Sequence, residues 1–376
     1  MTLKQATITI KSINDNKIIL YAQNSAKAFK NSESTEQNTI IKYENEIEKN
    51  IIQNKTIIDM YGNKIVVPYG FSICVDSTVD YTEDELDVTK GIVVQDEQKN
   101  QFVWVPVGVI YTNKDKTESK TIELGRYSNF SLQNEKYVPA QKAEDFAKSV
   151  SIGERKYIED TKATKDNIVA KNLEEFCNNT LKNGGFYIAR YEARVVGYDK
   201  TATSANAKPE DESGVEVSWT KYVTADGKDP QIAIRANETV WNQITQKKVA
   251  EISQKMYEEN ELYSSDLVNS YAWDTALIFI QTFGDSDFAE KEGEGKLSST
   301  GASVLSDGNV DRQLNIYDMA GNYYEWSTET GNYSVSRPYT YRGGVYYRVG
   351  YGKAGSRSYL NRNNSWYTFR PIIYFK

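Results

Sequence analysis

A chain of 376 residues can hold two or three domains, and 39% hydrophobic with 26% charged residues is the balance of a soluble globular protein. The absence of histidine excludes histidine acid–base catalysis, Ser–His and Cys–His nucleophile pairs and histidine metal sites. A formal charge of −7 with no basic run argues against nucleic acid as partner, and no stretch approaches the roughly 18 apolar residues of a membrane span.

Taken in chain order, residues 1–22 alternate apolar and polar side chains around Asn14-Asp-Asn16, which predicts a β-hairpin. The same N-terminus lacks an apolar signal core, so Sec-type export is not expected. Residues 23–55 are polar; apolar residues at helical spacing over Ile40–Ile52 fit a helix or short coiled coil, and a flexible linker fits equally well. Strand patterns resume at Ile57, with a turn at Tyr61-Gly-Asn-Lys64 and then Ile65-Val-Val-Pro68 and Gly70-Phe-Ser-Ile-Cys74. Gly91–Asp96 and Phe102–Pro106 predict a hairpin whose apolar second strand is central in a sheet. Cys74 and Cys177, two lone thiols, cannot make a closed zinc site and form no disulfide framework; they read as small buried hydrophobes.

Periodic apolar faces (Ala143, Phe146, Ala147; Leu173, Phe176, Leu181) predict helix over 141–182, stopped by Gly184-Gly185. Gly185–Ala193 reads as a buried strand and 197–230 as a polar surface excursion. A helix capped at Asn242–Thr245 runs to about Asn260 with Val249, Ile252 and Met256 on one face. A more apolar helix spans Asn269–Thr282 and carries Trp273, Leu277 and Ile280; residues 284–313 read as loop.

The last 60 residues hold 12 of the 28 tyrosines and set eight Lys/Arg against three Asp/Glu, reversing the charge of the rest. Tyrosine-rich, glycine-punctuated sequence is the material of binding faces, because Tyr gives large contact area at small entropic cost.

Five blocks carry a resemblance: Gly185-Phe-Tyr-Ile-Ala-Arg-Tyr-Glu192, Tyr271-Ala-Trp-Asp274, Asp318-Met-Ala-Gly-Asn-Tyr-Tyr-Glu-Trp326, Arg342-Gly-Gly344 and Phe369-Arg-Pro371. Over about residues 100–376 their order and spacing resemble the formylglycine-generating-enzyme (sulfatase-modifying-factor) family. The resemblance implies an α+β, C-type-lectin-like fold, here assigned to 61–376; residues 1–60, read from their own pattern as hairpin and polar stem, are expected to serve attachment or oligomerisation. It also implies a structural calcium ion held by the Asp318 and Glu325 carboxylates and the carbonyls of Gly321 and Tyr323, a set of hard oxygens that calcium accepts. Read without the resemblance, Asp318 caps a turn and Glu325 pairs with an arginine such as Arg342. Arg342 and Arg370 read as structural, holding loops through carboxylate or carbonyl contacts. Cysteine-oxidising members use a late cysteine pair to bind copper, and the related sulfoxide synthases use histidine-bound iron. This chain has no cysteine after Cys177 and no histidine, so neither chemistry is expected, nor any organic cofactor.

The remaining use of the fold is a ligand-binding scaffold with a variable tip. Residues 345–367 resemble the variable region of diversity-generating-retroelement target proteins, although an AT-rich genome produces a similar Asn and Tyr bias. Tyr346, Tyr347, Tyr351, Tyr359, Trp366 and Tyr367 are the candidate aromatic platform, with Arg348, Asn361, Asn363 and Asn364 as adaptable hydrogen-bonders, about half of the tyrosines being expected to cover the core. The expectation is a non-enzymatic recognition protein on a phage tail, or at the cell surface after lysis, binding a host-surface protein or glycan. Other tail proteins, and copies of itself in a trimer, would be its partners, without nucleic acid or membrane insertion. The alternative is a structural virion component, baseplate or capsid decoration, with the same fold and no ligand.

Overall fold

The computed structural model describes the strands within 7–23, residues 52–133, 136–141, 171, 173–196, 231–236, 239–242, 244, 246–292, 295–297, 303–305, 312–330, 339–345, 352–360 and 367–376. Two compact units divide the chain, Met1–Gln53 and Asn54–Lys376. In the first, Thr7–Asn14 pairs antiparallel with Lys17–Gln23, the hairpin expected from the alternation. The Ile40–Ile52 pattern lies outside the described residues apart from Ile52. Lys55–Ile58, which the sequence placed in the stem, pairs with Lys64–Val67 and belongs to the second unit, so the boundary falls earlier than residue 60.

The second unit is α+β. Ten strands form its two largest sheets among the described residues: β1 (Ser72–Ile73), β2 (Val93–Gln95), β3 (Gln101–Pro106), β4 (Gly185–Ala189), β5 (Tyr263–Leu267), β6 (Tyr324–Thr330), β7 (Tyr339–Arg342), β8 (Arg357–Leu360), β9 (Tyr367–Phe369) and β10 (Pro371–Phe375). The larger sheet runs β5-β10-β4-β3-β2-β1, antiparallel throughout. Its central strands are apolar along their length because both faces are covered, and every residue of β4 and β10 is buried. Alternation sorts the side chains. Phe186 and Tyr374 meet Phe176 of helix α1 (Leu173–Asn183) at ring distances of 5.2 and 5.6 Å, while Tyr187 and Phe375 pack on Trp104. The Tyr187 hydroxyl donates to the Val66 carbonyl, which ties in the 55–67 hairpin.

The last strand of the chain thus lies inside the sheet, between strands that precede it by about a hundred and nearly two hundred residues. Helix α2 (Gln246–Lys255) packs against β5, and α3 (Ser270–Phe283) against β3 and β4. The Asn269 side chain accepts from the Ala272 N–H and caps α3, whose residues are buried from Ser270 to Gln281.

Of the helix expected over 141–182, Leu173–Asn183 is helical, Gln141 ends the strand Lys136–Gln141, and Ala143, Phe146 and Ala147 lie outside the described residues. Leu173 and Phe176 are buried, but Leu181 is 61% exposed, since the core-facing stripe passes through the buried Thr180 in the last turn and leaves Leu181 beside it. The second helix ends at Lys255, short of Asn260, in successive turns over Met256–Asn260. Within 284–313, expected as loop, a 3-10 turn (Phe288–Glu290) and paired segments Gly295–Leu297 and Ser303–Leu305 occur. The 197–230 excursion lies outside the described residues.

Gly91 shows how tightly the sheet abuts the later turns. At φ +76° it closes the 3-10 turn before β2, and a Cβ there would sit 1.9 Å from the Leu314 carbonyl oxygen. Gly91→Ala is expected to cost at least about 2 kcal/mol in urea unfolding; wild-type stability would show that this contact yields.

Candidate functional site

The second sheet, β8-β7-β6-β9, carries the late sequence blocks; β6 and β9 run parallel and the other pairs antiparallel. Two sealed groups of charged side chains share strand β6.

The first gathers around Glu192, just after β4. Asp318 and Asn322 adopt left-handed φ values of +65° and +62°, which folds the 318–323 turn over the Glu192 carboxylate. The Tyr323 N–H donates to one oxygen at 3.1 Å and the Asn322 amide to the other. Arg194 stands 3.7 Å from Asp318. Arg370 forks onto Glu325 at 2.6 to 3.2 Å and also donates to the carbonyls of Ala189 and Tyr317 at 2.8 and 2.7 Å. One arginine between β9 and β10 therefore pins three separated segments. Burial pushes the Glu192 carboxyl well above the usual carboxylate range, and neighbouring Asp318 and Glu325 push it further.

The second group is a closed ring. Arg342 of β7 reaches Asp274 of α3 at 2.5 Å and Glu329 of β6 at 2.6 Å, and Arg357 of β8 reaches the same two carboxylates at 2.8 and 2.5 Å. Arg342 also donates to the Ser356 carbonyl and lies over the Trp273 ring. Burial opposes ionisation of Asp274 and Glu329, but the Arg342 and Arg357 guanidiniums outweigh it and hold both carboxyls below their ordinary range. Gly343 follows at φ +78°, where a Cβ would lie 2.8 Å from the Met319 carbonyl oxygen; the Arg-Gly-Gly block thus joins the ring to the 318–323 turn.

Between these groups, Tyr324, Trp326, Tyr341 and Tyr367 stack with centroids 4.6 to 5.5 Å apart. Tyr367, expected on the binding face, is only 6% exposed and belongs to this packing; its strand β9 pairs parallel with β6, which turns the ring inward. The middle of 345–367 is anchored as well. Ala354 and Gly355 donate backbone hydrogen bonds to Lys291 and Ala289, and the Trp273 indole donates to the Ala354 carbonyl at 2.9 Å. Tyr359 lies on β8 opposite Thr340. Tyr346, Tyr347, Arg348, Tyr351, Asn361, Asn363, Asn364 and Trp366 lie outside the described residues.

The set named for calcium does not fit that ion as arranged. Glu325 spends both oxygens on Arg370 and Asp318 faces Arg194, so guanidiniums stand where a cation would bind. Among the described residues no group of three His, Cys, Asp or Glu is arranged to hold a metal. The arginine facing Glu325 is Arg370; Arg342, its cross-strand neighbour, serves the other group. Cys74 is buried with its thiol pushed up by desolvation, opposite to what a nucleophile needs.

No protein-family model matches the chain, and no curated protein matches it. A solved structure titled "Crystal Structure of CarF" is similar over 51% of this chain and 87% of its own, at 16% identity and a TM-score of 0.30, a likeness too slight to bear on fold or function. No helix among the described residues is long and apolar enough to cross a membrane.

Glu192, Arg194, Asp274, Glu329 and Arg357 escaped the sequence reading as partners. Their signal is charge inside apolar strands and helices: Arg190, Glu192 and Arg194 alternate after β4, and Asp274 interrupts an otherwise apolar helix. A charge there needs a buried counter-charge, as for Glu192, Arg194 and Asp274, or neutral acceptors such as the Gln101 side chain and the Thr78 carbonyl that Arg190 reaches.

Arg370→Gln, which leaves Glu325 buried without its cation, is expected to lose about 3–5 kcal/mol in urea unfolding; a loss under about 1 kcal/mol would mean the pair is dispensable. The depressed carboxyls of Asp274 and Glu329 stabilise the fold above their unfolded-state values, and that contribution is lost as pH falls through the lower folded ones. Glu329→Gln should therefore flatten the acid-side decline of melting temperature below about pH 5. A wild-type slope in that variant would remove Glu329 from the linkage.

Proposed function

We propose that this protein is a non-enzymatic recognition protein with a C-type-lectin-like fold of the formylglycine-generating-enzyme kind, carried on a phage tail or similar particle. Its contact surface is formed by Tyr346, Tyr347, Arg348, Tyr351, Tyr359, Asn361, Asn363, Asn364 and Trp366. One observation carries the reading: the stretch is held at Val345, Ala354, Arg357 and Tyr367, all buried or tied into the ion ring, while the sequence between these points is rich in Tyr, Asn, Ser and Arg. Fixed posts with adaptable polar and aromatic residues between them are how paratope-like surfaces limit the entropy lost on binding. The sealed charges support the same reading, since they serve as frame for these posts.

The ligand in this proposal is a host-surface protein or glycan, and residues 1–53 attach the domain to other tail proteins or to further copies. Burial of Tyr367 and the anchoring of 353–356 favour the second reading in part, a structural virion component, because they withdraw area from contact.

Replacing 346–351 and 361–366 with Gly/Ser segments separates the two. The recognition reading expects binding of the purified protein to host cells to fall about tenfold or more, the scale of losing hot-spot residues, with the melting temperature kept. Unchanged cell binding by a folded variant would overturn it in favour of the structural component.

A further inference from the structure

A cleft of about 650 Å³ opens elsewhere in the second unit, where the β2–β3 turn, the C-terminal end of α2 and the strand Gln231–Ala233 meet. None of its lining comes from 345–367. We infer that this cleft is a second binding site, for a neutral saccharide.

Its volume is that of small-molecule sites in general. Aromatic rings line one side. Phe71 and Tyr257, both half-buried, pack at 5.6 Å, with the buried Tyr263 edge-on to them. The parts of the Phe71 and Tyr257 rings that reach the cleft offer apolar surface for the C–H groups of a pyranose. The polar part of the lining adjoins these rings. Asp96 accepts from the Asn100 backbone and side-chain N–H groups at 2.8 Å each and from the Tyr257 hydroxyl at 2.7 Å. Asp96 is thus an engaged hydrogen-bond acceptor that fixes the Tyr257 ring, and an incoming cation would have to compete with these donors.

The charged residues lining the cleft are two of each sign, Asp96 and Glu97 with Lys248 and Lys255, and Lys248 also pairs with Glu251 at 3.4 Å. A cleft selecting an ion would carry an excess of the opposite sign. What it presents at the rim, the carboxylate of Glu97, the amide of Gln231 and the ammonium of Lys255, matches hydroxyl groups, which both donate and accept. A ligand with apolar faces, hydroxyl edges and no net charge satisfies all three features.

The test is methyl NMR on the full chain, following Ile232, Ile252 and Met256 at the cleft. The probes are methyl glycosides of glucose, galactose and mannose, N-acetylglucosamine, and their charged counterparts glucuronate and glucosamine, each to about 10 mM, a range that detects weak sites. At least one neutral sugar is expected to shift these methyls saturably, with the charged counterparts weaker. A Glu97→Ala/Gln231→Ala/Lys255→Ala variant, altered only at exposed positions, should keep the melting temperature and bind about tenfold more weakly. No shift with any neutral sugar, tighter binding of a charged one, or wild-type affinity in the triple variant would overturn the assignment. The Gly/Ser replacement of 346–351 and 361–366 is expected to leave this binding intact, so the two sites fail independently.

Discussion

The C-terminal part of this protein depends on a ring of four buried charges, Asp274, Arg342, Glu329 and Arg357, in which each carboxylate bridges both guanidiniums. Removing four charges from water carries a heavy desolvation cost, offset only when the geometry is close and the remaining polar atoms find partners. Here both conditions hold to a large degree. The contacts are 2.5 to 2.8 Å, and the leftover donors and acceptors reach the Ser356 carbonyl and the Tyr127 N–H. The result is less a gain in stability than a restriction on geometry: helix α3 and strands β6, β7 and β8 have one relative placement that satisfies every member.

Strand β6 extends that restriction to the main sheet. Glu329 at one end belongs to the ring, and Glu325 at the other belongs to Arg370, which in turn holds carbonyls at the end of β4 and before β6. Because β10 follows Arg370 directly and lies between β4 and β5, the ionic frame and the hydrophobic core close together. The first group has three carboxylates around two guanidiniums, and its Glu192 is driven toward its neutral form, which lessens the imbalance. The two groups, the Tyr324–Trp326–Tyr341–Tyr367 stack between them and the buried turns at Gly343 and Ala354 make a rigid support for the segments they flank.

Much of the core was legible in the sequence because it is local. The apolar run Phe102–Pro106, the apolar helix over Asn269–Thr282 and the buried strand after Gly184 each follow from neighbouring residues alone. The ion pairs were not, since Asp274 and Arg342 are 68 positions apart and nothing local selects Arg370 over Arg342 for Glu325. Leu181 and Tyr367 failed for a related reason. Apolar or aromatic character predicts a surface to be covered, but only tertiary packing decides which copy is covered and which is left outside. The calcium reading rested on a sequence block whose carboxylates here face arginines contributed from elsewhere in the chain.

Native-state hydrogen exchange tests most directly whether the ionic frame and the main sheet form one cooperative unit. The amides of Trp326, Thr328, Phe369 and Ile372 should exchange only by global opening, with the same urea dependence as those of Val103 and Trp104 in β3. Exchange of the first set through a lower-energy, urea-insensitive opening, while β3 stays protected, would show that the late strands are held separately and would contradict the account.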